Sequence, residues 1–282
     1  MRITTLIENR SSPDDPRLEA EWGLSLCVEL DGRQVIVDFG ASGAFARNAE
    51  RLSIDLGASD AAILSHHHYD HGGGLERFLE LNGHAPIYLG PSPEGDPTVR
   101  LFGFLRKYIG LDRRLVEQHD DRFRVVDAIT EIVPGLFALP CPDIRRGQPA
   151  GNGSIFVRKN GFLRRDDFRH ELVVAVREAE GLVILTGCSH HGLLNMVERV
   201  SAAFPGLPVR AVIGGFHLAA LPPFHGMSEQ AEAVEALGRA VLERGVGTTY
   251  TCHCTGDVAF EVLRSAMGER VQTIRTGVRI EL

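Results

Sequence analysis

Short apolar runs bounded by glycine, proline or polar residues recur along the whole chain. Runs of this kind are typical of β-strands, and alternation of apolar and polar residues within them indicates one buried face. Asp31-Gly32 and Glu180-Gly181 each separate two such runs, so we expect two tight hairpins. The predicted strands cover residues 2–8, 25–30, 34–38, 61–64, 85–89, 131–139, 154–158, 172–177, 182–186, 209–213, 248–251 and 271–282.

Apolar residues at helical spacing predict helices between these strands. They cover residues 45–52, 75–81 and 193–203, and a longer helix ends at Glu243 with Ser228 as its expected N-cap. Residues 99–115 show the same spacing with basic residues interleaved, and we interpret residues 91–130 as a helical insertion. Charges on such a helix either form a solvated face or meet an anionic substrate.

Composition and charge narrow the class of protein. The net charge is −7 without long blocks of one sign, so a basic surface for nucleic acid is not expected. No apolar run approaches the length of a membrane span, and residues 1–8 lack the apolar core of a signal peptide. The five cysteines lack the spacing of a disulfide framework. We therefore expect a cytoplasmic protein that binds neither nucleic acid nor membrane. Without a low-complexity linker, we expect residues 1–282 to form a single domain.

The most chemically informative segment follows the predicted strand 61–64 and reads Ser-His-His-His-Tyr-Asp-His-Gly-Gly-Gly over residues 65–74. Alternate side chains of extended backbone face the same way, so His66 and His68 can converge on one point. Asp70 and His71 can reach a second point nearby. Imidazole nitrogen and carboxylate oxygen together suit divalent ions, and the glycines let the chain turn beside them. The alternative is a histidine-rich surface loop, but such a loop would not follow a buried strand.

The pattern His-x-His-x-Asp-His over residues 66–71 resembles the signature of the metallo-β-lactamase superfamily. The resemblance implies an α+β fold, the αββα sandwich, in which two mixed sheets face each other with helices outside. It also implies two divalent metal ions, with zinc as the first choice and manganese or iron as alternatives. In this fold the insertion of residues 91–130 can lie over the metal loop as a lid.

The resemblance also implies that further ligands come from later strand ends. Cys188 stands where relatives carry a bridging aspartate, and a thiolate can bind zinc in its place. His217 matches the last histidine of the superfamily, and we assign it to the second metal. His170 and His190 compete for the third position on the first metal, while His253 can contact substrate or metal.

The remaining polar candidates are weaker. Asp38 ends a predicted strand, where it either orients a ligand histidine or only caps a turn. Cys252 and Cys254 are expected to be small buried residues. The other histidines are expected to be solvated or packed: His67, His84, His119, His191 and His225.

Taken together, these motifs resemble one branch of the superfamily, the superfamily II metal-dependent hydrolases. The resemblance implies a hydrolase in which a metal-bound hydroxide attacks an ester, lactone or phosphoester of a small molecule, with an anionic substrate as one option. Asp70 would orient the nucleophile and take its proton, and His190 or His253 would stabilise the developing charge.

Three alternatives to a hydrolase are considered. The first is a transferase of pterin or methanopterin-type biosynthesis that releases diphosphate. The second is a di-iron redox site, which is disfavoured because di-iron members usually have glutamate where this chain has His68. The third is a non-catalytic metal-binding module, which is disfavoured because all four early ligands are present. The sequence leaves the oligomeric state open.

Overall fold

A computed structural model describes residues 1–141, 144–220 and 226–282 of the chain. Its strands are β1 (Arg2–Ile7), β2 (Ser25–Leu30), β3 (Arg33–Val37), β4 (Ala61–Leu64), β5 (Ile87–Leu89), β6 (Asp96–Leu101), β7 (Leu105–Tyr108), β8 (Phe123–Val125), β9 (Thr130–Val133), β10 (Leu136–Pro140), β11 (Ile155–Lys159), β12 (Phe162–Arg165), β13 (Leu172–Glu178), β14 (Gly181–Leu185), β15 (Val209–Gly214), β16 (Thr248–Thr251), β17 (Val271–Thr273) and β18 (Arg279–Glu281). Its α-helices are α1 (Ala44–Arg51), α2 (Tyr69–Gly72), α3 (Leu75–Leu81), α4 (Arg113–Gln118), α5 (Leu193–Ala203), α6 (Ala231–Glu243) and α7 (Asp257–Met267). Within these ranges, every helix is too short or too polar to cross a membrane.

Two seven-stranded sheets form the centre of the molecule. The first has the order β18-β1-β2-β3-β4-β5-β8, and the second has the order β17-β16-β15-β14-β13-β10-β9. Both are mixed, because β3, β4, β5 and β8 run parallel in the first sheet and β14 to β17 run parallel in the second. A smaller sheet has the order β12-β11-β6-β7.

The apolar core has one layer between the two large sheets and another on the outer face of each. Alternate residues of a strand face opposite sides of the sheet. Val37 therefore shares the central layer with Ile213 of the second sheet, whereas Ile36 shares the outer layer with Phe45 of α1. The outer face of the second sheet packs against α5, α6 and α7 in the same way. This arrangement confirms the predicted α+β class and αββα sandwich.

Most predicted elements are confirmed, several of them with their predicted end points. β2, β4, β16, α3 and α5 begin and end where the sequence places them. The hairpin between β2 and β3 turns at Asp31 and Gly32, whose φ angles of 47° and 76° are the positive values that such a turn requires.

The predicted helix over residues 99–115 is wrong. Residues 96–108 instead form the β6–β7 hairpin, and helical structure in the insertion is limited to α4 and a short 3-10 turn. Phe102 and Gly103 have positive φ angles of 52° and 78°, which a right-handed helix excludes. The apolar positions fitted a period of two residues as well as a helical period, which is the usual ambiguity of short apolar runs.

Three smaller predictions are also corrected. Residues 131–139 form two strands rather than one, because the chain turns at Gly135 with a φ angle of 83°. Ser228 does not cap α6; its hydroxyl donates to the carbonyl oxygen of Leu218, and the helix begins after Gln230. Residues 271–282 form two strands that join different sheets, β17 and β18. No strand was predicted at β12.

Candidate metal centre

The candidate ligands follow the ends of strands in both large sheets. His66 follows β4 of the first sheet, whereas Cys188, His217 and His253 follow β14, β15 and β16 of the second. Parallel strands deliver their carboxyl ends to the same edge of a sheet, which is where open α/β sheets generally bind ligands. All four side chains are buried.

Glycines allow the loop that follows β4 to pass close to the segment after β3. A Cβ atom added to Gly73 would lie 2.2 Å from the carbonyl oxygen of Ala41, and one added to Gly74 would lie 2.2 Å from that of Phe39. Any side chain at either position would therefore clash with backbone. The glycines give the loop the sharp turn that the sequence predicted.

A first cluster consists of His66, His68 and His190, with one ring nitrogen of each within 4.8 Å of the others. The Nε2 atoms of all three are buried and make no hydrogen bond within the described part of the chain. Burial, assisted by the neighbouring imidazoles, lowers the pKa of His66 and His190 well below the usual value and that of His68 to about 3. The three rings are therefore neutral at neutral pH, and their unused nitrogens suit a divalent metal.

Hydrogen bonds fix the tautomers of two of these rings. The Ser65 hydroxyl donates to Asp38, so at 2.9 Å it accepts from the Nδ1–H group of His66. His190 Nδ1 lies 2.9 Å from the amide oxygen of Asn152, which can only accept. In both rings the proton is therefore on Nδ1, and the lone pair of Nε2 faces the cluster.

A second cluster consists of Asp70, His71 and His253 together with Cys188. His71 Nε2 lies 3.2 Å from both Cys188 Sγ and His253 Nε2, and Asp70 Oδ2 lies 3.5 Å from His253 Nε2. His253 Nδ1 donates to the amide oxygen of Asn9 at 2.9 Å, which leaves its Nε2 for a ligand. Although burial opposes ionisation, the neighbouring His253 and His71 rings lower the pKa of Asp70. The cluster therefore offers a carboxylate, two imidazoles and a thiol.

Asp38 supports both clusters from outside them. Its carboxylate accepts from the backbone N–H and the hydroxyl of Ser65, each at 2.7 Å, and from His71 Nδ1 at 2.6 Å. Burial lowers the pKa of His71, but the Asp38 carboxylate outweighs it and raises the pKa to about 9. The φ angle of Asp38 is 64°, a left-handed conformation that aspartate adopts more readily than most residues. Of the two roles left open by the sequence, this geometry supports the orientation of a ligand histidine.

Cys188 lies between the two clusters. Its Sγ atom lies within 4.8 Å of ligand atoms of His66 and His71, and also of those of His190 and His217. Burial raises the pKa of its thiol well above the usual value in the absence of a metal. If deprotonated, Cys188 would offer a thiolate to a metal ion held by either cluster.

The structure places His217 with His190 and Cys188 rather than beside Asp70 and His71. Its ring centroid is 4.3 Å from that of His190, and both of its nitrogens are buried without a hydrogen-bond partner among the described residues. The histidine that contacts Asp70 is His253, at 3.5 Å. The assignment of His217 to the second metal stays a prediction.

His170 is buried next to His68, but both of its ring nitrogens are engaged. Nδ1 accepts from the backbone N–H of His67 at 3.2 Å, and Nε2 lies 3.3 Å from Asp166 Oδ2. Of the two competitors for the third position, His190 is therefore the one with a free nitrogen.

The other histidines that the structure describes are not part of either cluster. His67 Nε2 is bonded to the carbonyl oxygen of Gly90 and His191 Nδ1 to Glu171, so both are packed as expected. His84 is exposed and His119 is half-buried. His225 lies outside the described residues.

The sequence interpretation missed several residues of the site. Cys254 is a candidate ligand, because its Sγ atom groups with Cys188 and His253. Asn9 and Asn152 set the tautomers of ligand rings, although neither belongs to a recognisable motif. Trp22 donates from Nε1 to Asp70 Oδ2 at 3.0 Å. Cys254 could have been predicted from its position in His-Cys-Thr-Gly, directly after a predicted strand. No sequence pattern indicates a role for Asn9, Asn152 or Trp22.

A pocket of about 290 Å³ opens onto both clusters. Asp70, His68 and His190 form part of its wall, and Lys107 and Ile109 at the end of the β6–β7 hairpin form another part. The insertion therefore does lie beside the metal loop, although as a hairpin rather than a helix. Its role as a lid stays a prediction.

Comparisons with known proteins agree with this geometry. A family model of the metallo-β-lactamase superfamily matches residues 23–140. The crystal structure of Tm1679, a metal-dependent hydrolase of the β-lactamase superfamily, aligns with a TM-score of 0.81 and 31% identity over 100% of this chain and 99% of that chain. The chain belongs to the metallo-β-lactamase superfamily. Divalent metals are typical ligands of this superfamily, and the two clusters have the donor atoms to hold them.

Two further proteins share less of the sequence. The 7,8-dihydropterin-6-methyl-4-(β-D-ribofuranosyl)-aminobenzene-5′-phosphate synthase of Methanocaldococcus jannaschii is 28% identical over 292 residues, which cover 98% of this chain and 95% of the relative. The structure of Zn²⁺-bound PqqB from Methylobacterium extorquens aligns at 13% identity over 100% of both chains, with a TM-score of 0.58, and shares the fold.

Proposed function

We propose that this protein is a metal-dependent hydrolase that acts on an ester, lactone or phosphoester of a small molecule. The observation that carries the proposal is the group of three neutral, buried histidines whose Nε2 atoms have no partner in the described ranges. Two of them, His68 and His190, line the same pocket as Asp70. Unpaired buried polar atoms are costly unless a ligand completes them. Their convergence at a pocket wall supports a metal site with access for substrate.

The residues divide between two ions. His66, His68 and His190 would hold the first ion. Asp70, His71 and His253, of which His253 contacts the other two, would hold the second, with Cys188 between the two groups. When bound, two divalent ions activate water at neutral pH and polarise an oxygen of the substrate. The mixed nitrogen, sulfur and oxygen donors favour zinc, with manganese or iron as alternatives.

Asp70 is our candidate for the proton acceptor. It lies in the pocket wall beside His253, and the indole N–H of Trp22 holds its Oδ2 atom. An ionised carboxylate there can orient the attacking water and take its proton. We assign His190 and His253 first to metal binding and second to stabilising charge on the substrate.

The test is hydrolysis by protein loaded with zinc or manganese, using 4-nitrophenyl acetate, dihydrocoumarin and bis(4-nitrophenyl) phosphate. We expect metal-dependent turnover of at least one substrate, and Asp70→Asn should lower kcat by about 100-fold or more. Asp14→Asn, at an exposed aspartate, is the matched control. Full metal loading without turnover of any substrate would contradict the proposal.

A transferase that releases diphosphate is the second candidate. The supporting observation is the 28% identity to a synthase over 98% of this chain. A transferase would form diphosphate in step with its product, whereas a hydrolase would incorporate oxygen from labelled water. Measuring both products in one reaction separates the two functions.

We also propose that the chain forms a single domain and that the protein is located in the cytoplasm. Its five cysteines are all free thiols, as is usual in a reducing compartment.

A further inference from the structure

We propose that the pocket binds a substrate with a flat apolar group and one anionic substituent, and that Lys107 is the residue that recognises the anion. This inference names the substrate class of the proposed metal-dependent hydrolase and rests on that function for its reaction. It does not rest on that function for binding, which can be measured separately.

Strand register places Lys107 at the end of an apolar row. Ile155 of β11 pairs with Val99 of β6, and Val99 pairs with Lys107 of β7. Cross-strand partners share one face of a sheet. All three residues line the pocket beside the metal clusters, so this face of the small sheet is the one turned toward them. Across the three strands, the pocket is therefore lined by two aliphatic side chains, Ile155 and Val99, and then by the ammonium group of Lys107.

The hairpin is held in place against the metal loop. The backbone N–H of Tyr69 donates to the carbonyl oxygen of Ile109 at 2.8 Å, directly after β7. The Lys107 ammonium lies 5.4 Å from the centre of the Tyr69 ring, a cation–π distance. Lys107 lines the same pocket as His68 and Asp70, so its ammonium group and the candidate ligands share one cavity.

Among the described residues, Lys107 is the only lysine or arginine that lines this pocket. Arg100 and Arg106 are cross-strand partners in the β6–β7 register, and their side chains lie on the opposite face of the small sheet. The Arg100 guanidinium lies 4.8 Å from the centre of the Phe156 ring. Arg158 and Lys159 form ion pairs with Asp96 and Glu94. Among the described residues Lys107 makes no ion pair, so its charge is available to a ligand.

The remaining walls fit a flat apolar group. Trp22 and Tyr69 contribute aromatic rings to the lining, and Leu101 and Ile109 contribute aliphatic side chains. The Trp22 ring centroid lies 5.2 Å from that of His253. Aromatic and aliphatic walls with a few polar groups are typical of pockets for small molecules that contain rings. An anion on such a ring would be neutralised by Lys107.

Binding of naphthalene-2-sulfonate to the metal-loaded protein tests the inference, because a sulfonate is a weak metal ligand. Methyl 2-naphthyl sulfone supplies the same ring without charge, and inorganic sulfate supplies the anion without a ring. By isothermal titration calorimetry, the wild type should bind the sulfonate at least about tenfold more tightly than either control. Lys107→Met should remove that preference while binding the sulfone within about twofold of the wild type.

Arg106→Met is the matched control, since it removes a cation from the opposite face of the same hairpin. It should bind all three probes as the wild type does. Equal sulfonate affinity in Lys107→Met and Arg106→Met would overturn the inference, as would a wild type that does not prefer the sulfonate. Turnover of 4-nitrophenyl acetate by the same samples reports the hydrolase function separately, so failure of one proposal does not imply failure of the other.

Discussion

At the scale of single residues, one hydrogen-bond partner behind each of several rings decides which nitrogen faces the metal clusters. Asn152 and Asn9 do this for His190 and His253, and Asp38 does it for His71. Such partners raise the basicity of metal ligands and fix their orientation. Asp38 has the widest effect, because it also reaches His66 through the Ser65 hydroxyl.

Asp38→Asn tests this role. Asparagine tolerates the left-handed backbone at this position, but it carries no charge and one of its two terminal atoms cannot accept. We expect the metal affinity to fall by about 10- to 100-fold, measured by competition with a chromogenic chelator. Asp14→Asn is the control at an exposed aspartate and should bind metal as the wild type does. Unchanged affinity in Asp38→Asn would show that Asp38 only caps a turn.

Sequence patterns predicted the candidate ligands and offered Asp38 as one residue that orients them, but they did not predict the asparagines. His66, His68, Asp70 and His71 belong to one short motif, so local spacing is enough to identify them. Asn9 contacts a histidine 244 positions away. No periodicity or turn chemistry connects such residues, because only the complete fold brings them together.

At the scale of elements, the loop after β4 depends on its glycines. Gly74→Ala would place a Cβ atom 2.2 Å from the carbonyl oxygen of Phe39. We expect this clash to lower the free energy of unfolding by about 1–3 kcal/mol or more, measured by urea denaturation. Gly83→Ala is the matched control, because nothing lies within 4 Å of its added Cβ. Equal stability of the two variants would contradict the close packing of this loop.

Glu19 attaches the segment before β2 to α1. Its carboxylate accepts from Arg47 at 2.8 and 2.6 Å and from Arg51 at 2.9 Å. The hydrogen bonds from Arg47 outweigh burial and lower the pKa of Glu19 to about 2. A lowered pKa stabilises the folded state fully above the ordinary carboxyl value, and this contribution is lost as the pH falls toward 2.

Glu19→Gln should therefore unfold at a lower temperature than the wild type at pH 7. The difference should shrink as the pH is lowered from about 5 to about 2, because Glu19 becomes protonated in the wild type. Thermal unfolding followed by circular dichroism measures both proteins. A difference that stays constant over this range would mean that the ion pair does not stabilise the fold.

Element prediction succeeded where local chemistry decides the structure. Asp31-Gly32 is sufficient to predict its turn. The apolar run 61–64 is short and leads directly into the histidine motif, so only a strand was expected there. It failed over residues 99–115, where the apolar positions fit both a helix and a strand. The pairing of β6 with β11, which is distant in the sequence, decides in favour of the hairpin.

At the scale of the whole molecule, the candidate centre joins the two halves of the sandwich. His66, His68, Asp70 and His71 follow a strand of the first sheet, whereas Cys188, His190 and His253 follow strands of the second. Metal binding therefore links the two sheets. A ligand that binds only the folded state stabilises it in proportion to the logarithm of its concentration relative to the dissociation constant.

Removing metal should therefore destabilise the protein as a whole. With free zinc at about 1,000 times the dissociation constant, the folded state gains about 4 kcal/mol, so a chelator should lower the unfolding temperature by several degrees in one cooperative transition. Differential scanning calorimetry with and without chelator measures this effect. An identical unfolding temperature would indicate that no metal binds the native state.

The most direct test of the metal centre is the number of metal ions bound per chain, measured by elemental analysis after reconstitution with zinc and removal of excess. The wild type should retain about two ions. His68→Ala should lose at least one of them, while His84→Ala, at an exposed histidine, should retain both. Equal metal content in all three proteins, or no bound metal in the wild type, would contradict the account.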